Sequence, residues 1–193
     1  MNITGKYVFD TSDLLTKSYE LLCVFFSEKE LARRTNPNDP NSAIAQLRYQ
    51  LFESTVARLL IEIAASLRVM ADQMKKLPAE SEEKINYFER LKAIDKYDFE
   101  IFNEKLKLRD VCNKIIHADT FEILFDKGEE ANEYDYAYRA GDADKTIEWK
   151  YPNGHVRLAG NYNRKDWHIR LDIEVFITAV VDLFRPNNNI ENN

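Results

Sequence analysis

In RDVCNKIIHADTF, residues 109–121, Arg109, Asn113 and His117 stand at successive intervals of four. A guanidinium offers a planar fork to phosphate. A carboxamide can orient a phosphate oxygen or a hydroxyl. An imidazole gives or takes a proton near neutral pH. Gathered on one helix edge, the three would suit an anion site and metal-independent attack on a phosphodiester. The same residue types also suit a helix C-terminus, where the negative dipole end favours Arg and His and the last carbonyls accept bonds. Spacing alone leaves both readings open.

The helix that must carry this edge is expected to run from a cap at Asp98 to His117. With Leu108 at zero and about 100° per residue, Ile101, Cys112 and Ile115 share its apolar side, whereas Arg109, Asn113 and His117 fall at about 100°, 140° and 180°. The three continue a line begun by Phe99, Phe102 and Leu106. Asn103, Lys107, Asp110 and Lys114 face water.

CNKIIHA at the end of a bundle helix, preceded by LRD, resembles the signature of HEPN domains, helical domains of bacterial and archaeal toxin–antitoxin and phage-defence systems. The family's motif combines an Arg, a polar residue that is commonly Asn, and a His near the end of a bundle helix. Arg109, Asn113 and His117 are the matching positions, and Cys112 stands where the family often has its arginine. The resemblance implies metal-independent RNA cleavage, with His117 in proton transfer and Arg109 stabilising the phosphorane. It also implies a homodimer through the helix carrying His117. Two motifs would then face one cleft, with Lys105, Lys107 and Lys114 adding RNA-binding charge. No cofactor or metal is implied. Other members of the family are non-catalytic scaffolds or partners of an antitoxin or a nucleotidyltransferase, so an interaction protein is the competing reading. A small-ligand module with a pocket between helices and sheet is a third.

Other residues also carry groups capable of chemistry. Glu62 lies among apolar neighbours in LLIEIAAS and is expected at a rim, paired with Arg58, or facing Arg109 as its orienter. Trp149, Tyr151, Tyr162 and Trp167, with Arg157, Arg164 and Lys165, could stack bases or pack a small sheet onto helices. His155 and His168 lack partners at metal-ligand spacing. The acidic run GEEANEYDY, residues 128–136, reads as a solvated loop or a contact for a basic partner. The sequence holds no CxxC, glycine-rich phosphate loop or GxSxG, which disfavours zinc-ribbon, P-loop, Rossmann and serine-hydrolase chemistry.

With 193 residues, 45% hydrophobic, the chain suits a single domain over 1–193. A net charge of −6 means that any nucleic-acid role needs a local basic patch. Cys23 and Cys112 read as separate buried thiols of a reducing cytosol. The N-terminus has no apolar run for a signal peptide or a membrane span, so a cytoplasmic location is expected.

The expected fold is mainly α: an antiparallel four-helix bundle, a small antiparallel β insertion at 119–171, and a closing C-terminal helix. The first helix runs from Thr11 or Ser12 to about Arg34. A breaker loop, TNPNDPN, follows at 35–41. A long helix from about Ser42 to Lys76 should bury Leu47, Leu51, Thr55, Leu59, Ile63, Leu67, Met70 and Met74. SEEKINYFERLKAI, residues 81–94, forms the third, with Ile85, Phe88, Leu91 and Ile94 on one face. Strands are expected at TFEILFD and EYDYAYR, as a hairpin of TIEWKY and HVRLAG turning at PNG, and at DWHIRL. From Asp172, IEVFITAVVDLF reads as the closing helix. Residues 186–193 read as a flexible tail.

Overall fold

The computed structural model describes residues 11–36, 38–99, 105–128, 131–132, 134–136, 140–141 and 147–185. Five α-helices and three strands lie within them: α1 (Thr11–Arg34), α2 (Ala43–Lys76), α3 (Glu82–Ala93) with a 3-10 turn at Ile94–Lys96, α4 (Leu108–Ile116), β1 (Thr120–Lys127), β2 (Lys150–Tyr162), β3 (Lys165–Asp172) and α5 (Ile173–Phe184). The fold is mainly helical with a small antiparallel sheet of order β1-β2-β3. The tail at 186–193 and residues 129, 130 and 133 of the acidic run lie outside the described residues.

Helix α2 is the spine. Ser42 caps it by accepting the Ala45 N–H, and it ends at Leu77, before Pro78. It packs against α1, α3 and α4, while α1 turns its other side to β2 and α5. Buried Leu14, Leu21 and Phe25 of α1 join Leu60, Ile63 and Leu67 of α2, Val156 and Leu158 of β2, Leu171 of β3 and Phe176 of α5 in one apolar cluster. Burying each such side chain stabilises by about 1.5–3 kcal/mol. The sheet therefore shares a core with the helices.

Two local expectations are corrected. The upper part of the α2 stripe is not inward: Leu47 and Leu51 are more than half exposed, and the buried positions are Ala45, Val56, Leu59, Leu60, Ile63, Ala64, Leu67 and Met74. Steps of four lean about 40° per turn around a helix, so a long row of them leaves the contact face. Ile85 of α3 is likewise exposed, and Tyr87 is buried instead. On α1, Tyr19 and Phe26 face outward.

The helix expected from Asp98 is also shorter. Residues 97–99 belong to no helix, Phe99 is buried, and its carbonyl accepts the Asp172 N–H at 3.5 Å, which ties it to the start of α5. Lys105–Lys107 are not helical, and α4 begins only at Leu108. Residues 100–104 lie outside the described residues.

The hairpin turn lies elsewhere. PNG at 152–154 sits inside β2 as a bulge, where pairing shifts from Ile123↔Val156 to Phe125↔Pro152. The bulge uses the positive φ of Gly154, 88°. The turn joins β2 to β3 at Asn163 and Arg164, φ 52° and 62°. Strand β2 starts at Lys150, so Ile147–Trp149 precede it. Tyr134–Tyr136 of the expected edge strand are not strand, and the buried Asp135 carboxylate accepts the Ile147 N–H at 2.8 Å.

Glu28 and Arg48 form an ion pair between α1 and α2: one carboxylate oxygen accepts from Nε at 2.8 Å and lies 2.7 Å from Nη2. Glu28 is 4% exposed. Arg48→Ala leaves that carboxylate buried and unpaired, and is expected to destabilise the fold by about 3–5 kcal/mol in urea unfolding. A loss below about 1 kcal/mol would mean that the pair is solvated.

Candidate functional site

Helix α4 is short and held by one face. Leu108, Val111, Cys112 and Ile115, at spacings of three and four, are buried. The helix ends at His117, whose N–H donates to the Asn113 carbonyl at 3.0 Å. Three residues later the chain enters β1, after Asp119 N–H has donated to the Ala159 carbonyl at 2.8 Å. His117 therefore stands at a corner between helix and sheet.

The corner exists because Gly160 has no side chain. On β2 it pairs with Trp167 of β3. A Cβ there would meet the Trp167 ring at 2.5 Å and the His117 carbonyl oxygen at 2.9 Å. Trp167 lies across this gap, and the Lys114 ammonium stands 4.0 Å from its ring centroid.

An open pocket of about 750 Å³ occupies the corner. Asp110, Asn113, Lys114 and His117 face it from α4, Asp119 from the corner, and Asn161, Tyr162 and Trp167 from the hairpin. His117 is exposed, and neither its imidazole nor the Asn113 amide makes a hydrogen bond among the described residues. Asp119 accepts the Asn161 N–H at 3.2 Å.

The structure brings Asn113, Lys114 and His117 together and parts Arg109 from them. Arg109 does not line the pocket. Its Nη1 donates to Asp72 of α2 at 3.2 Å. That hydrogen bond holds the Asp72 carboxyl below the usual carboxylate range. The 40° lean of each four-residue step is the cause: it aims Arg109 at α2 and His117 at the sheet. Lys105 and Lys107 are exposed before α4 and do not line the pocket. Asp110, Asp119 and Asn161 went unselected in the sequence. Asp110 carried the signal, lying three and seven residues before Asn113 and His117 on the same face.

Other candidates settle into structural positions. Glu62 pairs with Lys17 at 3.3 Å and Arg58 at 3.2 Å, away from Arg109. Trp149 is buried, 5.7 Å from Tyr151, whose ring also carries Lys29. His155 lies 3.6 Å from Asp172, and His168 is exposed on β3. Cys23 is exposed, contrary to the expected pair of buried thiols. Among the described residues no group of three or more His, Cys, Asp or Glu could hold a metal ion, and no helix is long and apolar enough to cross a membrane.

No protein-family model, curated protein or solved structure matches this chain. What the corner can do is set by its own groups. They are an imidazole and an amide without hydrogen bonds among the described residues, one ammonium, two carboxylates and an exposed tyrosine. Such a set suits a ligand with hydroxyls, an aromatic face and an anionic group.

Cys112 is no nucleophile: burial pushes its thiol up to about 12. Burial raises the Tyr87 phenol to about 12 as well. Both groups favour the neutral form in the folded state. Their stabilisation is full below the unfolded values and is lost as pH climbs toward 12. Urea midpoints should fall between pH 9 and 11, and less steeply in Cys112→Ala; parallel declines would remove Cys112 as a cause. At pH 8 a thiol reagent should modify Cys23 quickly and Cys112 only after unfolding. Gly160→Ala should cost about 1–3 kcal/mol and quench or shift Trp167 fluorescence; an unchanged spectrum and stability would mean that the corner yields freely.

Proposed function

We propose that this protein is a HEPN-like RNA-binding protein that holds a single-stranded nucleotide at the α4–sheet corner without cutting it. The carrying observation is the division of the motif. Asn113, Lys114 and His117 share an open pocket with Asn161 and Tyr162, while Arg109 is held by Asp72 on α2. Hydroxyls of a ribose can donate to Asp110, a phosphate can meet Lys114, and His117 and Asn113 can bond a base or phosphate edge. Catalysis of the family's kind asks for the guanidinium beside the imidazole, and the two diverge.

In this reading the first four helices form the family's up-down bundle, with residues 119–171 inserted before the closing helix. The chain acts in the cytoplasm, in a toxin–antitoxin or defence assembly, as a homodimer through α4 or with an antitoxin or nucleotidyltransferase partner.

A second reading, a metal-independent endoribonuclease, is favoured by the exposure of His117 at the pocket. The RNA 2′-OH would attack the adjacent phosphorus and pass its proton to His117; the P–O5′ bond would break to leave a 2′,3′-cyclic phosphate, and the 5′-oxygen would take that proton back from His117 through solvent. Arg109 would swing from Asp72 to the phosphorane. Their side chains are 37% and 48% exposed, and such surface pairs are exchanged at little cost.

Labelled oligouridylate, assayed in EDTA, separates the readings. Binding without cleavage is expected, with His117→Ala weakening it about 2- to 10-fold, the range of one hydrogen bond. EDTA-resistant cleavage that His117→Ala abolishes would establish the nuclease instead. Absence of RNA binding by the wild-type protein would end both.

A further inference from the structure

The β2–β3 hairpin tip projects three groups beside the pocket. Tyr162 is 72% exposed and lines the pocket. Arg164 and Lys165 are exposed, and neither takes part in an ion pair among the described residues.

The tip itself is rigidly tied. Asn161 is its node: the side-chain amide donates to Asp166 at 2.8 Å, the side-chain carbonyl accepts the Arg164 N–H at 3.1 Å, and the backbone N–H donates to Asp119. Two carboxylates that would repel a polyanion are thus engaged by one asparagine. The cations and the ring are left pointing outward.

The turn residues carry a second signal. Both central positions have positive φ, 52° at Asn163 and 62° at Arg164, the arrangement of a two-residue I′ turn. Asparagine tolerates this conformation, whereas arginine is strained in it and glycine is the residue that fits. The chain keeps a guanidinium where the fold alone favours glycine.

We propose that this tip is a strand-tracking arm: Tyr162 stacks on an unpaired base, and Arg164 and Lys165 hold successive phosphates of an RNA whose neighbouring nucleotide sits in the corner pocket. The inference rests on the RNA reading above and extends it from one nucleotide to a chain. It demands a single strand, because only an unstacked base offers its face to an exposed ring.

The probes are fluorescein-labelled oligouridylates of two and twelve nucleotides and a twelve-base-pair RNA duplex, titrated by anisotropy over a salt series. The double variant Arg164→Gly, Lys165→Gln should bind the twelve-mer about tenfold more weakly and lower its salt slope by roughly 1.4, two single-strand phosphate contacts at 0.7 each. The dinucleotide should lose less. Tyr162→Leu should weaken the twelve-mer about 5- to 100-fold. Arg164→Gly alone should melt at or above the wild-type temperature, which separates binding from folding. Unchanged twelve-mer affinity and slope in the double variant, with wild-type binding intact, would overturn the arm and leave the pocket standing. Equal binding of the duplex would overturn it too. Failure of the wild type to bind any of these RNAs would overturn the pocket and the arm together.

Discussion

The meeting of α4 with the sheet depends on a backbone approach that admits no side chain at residue 160. Gly160 lets the Trp167 ring lie across β2 and lets the His117 carbonyl come against the same strand. Lys114 then covers the ring from the helix side. This contact sets where α4 ends relative to the hairpin, and so sets the width of the pocket. Any bulk there must push the tryptophan or the helix end away, because a packed interior resists small displacements. The polar groups of the corner have their geometry through this one apolar wedge.

Charge is distributed around the wedge in two separate groups. On the α2 side, Arg109 stands with Asp72, which also lies 4.0 Å from Arg68 and from Lys75. On the sheet side, Lys114, His117 and the hairpin cations surround a pocket whose carboxylate Asp119 is already hydrogen-bonded. In a chain with net charge −6, Lys114 and the two hairpin cations locally offset the carboxylates of Asp110, Asp119 and Asp166. The arrangement suits a ligand that meets the protein along an edge, from the corner to the tip of the hairpin.

Much of the secondary structure was legible from local rules. Ser42 and Pro78 bracket α2, Asp172 caps α5 by accepting the Val175 N–H, and the alternation in DWHIRL marks β3. These signals act within a few residues, and short-range sterics and hydrogen bonding suffice to read them. The errors came where one local signal competed with a distant partner. PNG is a strong turn sequence, yet pairing with β1 absorbed it as a bulge, and the turn fell to Asn163 and Arg164. Asp98 is a good cap, yet Lys105–Lys107 are not helical, so no continuous helix runs from it to His117.

The amino-acid sequence by itself determined the helix and strand inventory in outline, the placement of Asn113 and His117 near a helix end, and the chemistry available there. Tertiary structure alone decided which of those groups share a pocket. A row of four-residue steps looks like one edge on paper, but each step leans about 40°. Two steps are enough to hand Arg109 to α2 and His117 to the sheet. Which neighbour stands at each angle is a property of long-range packing, and no spacing within α4 could specify Asp72 on one side or Gly160 and Trp167 on the other.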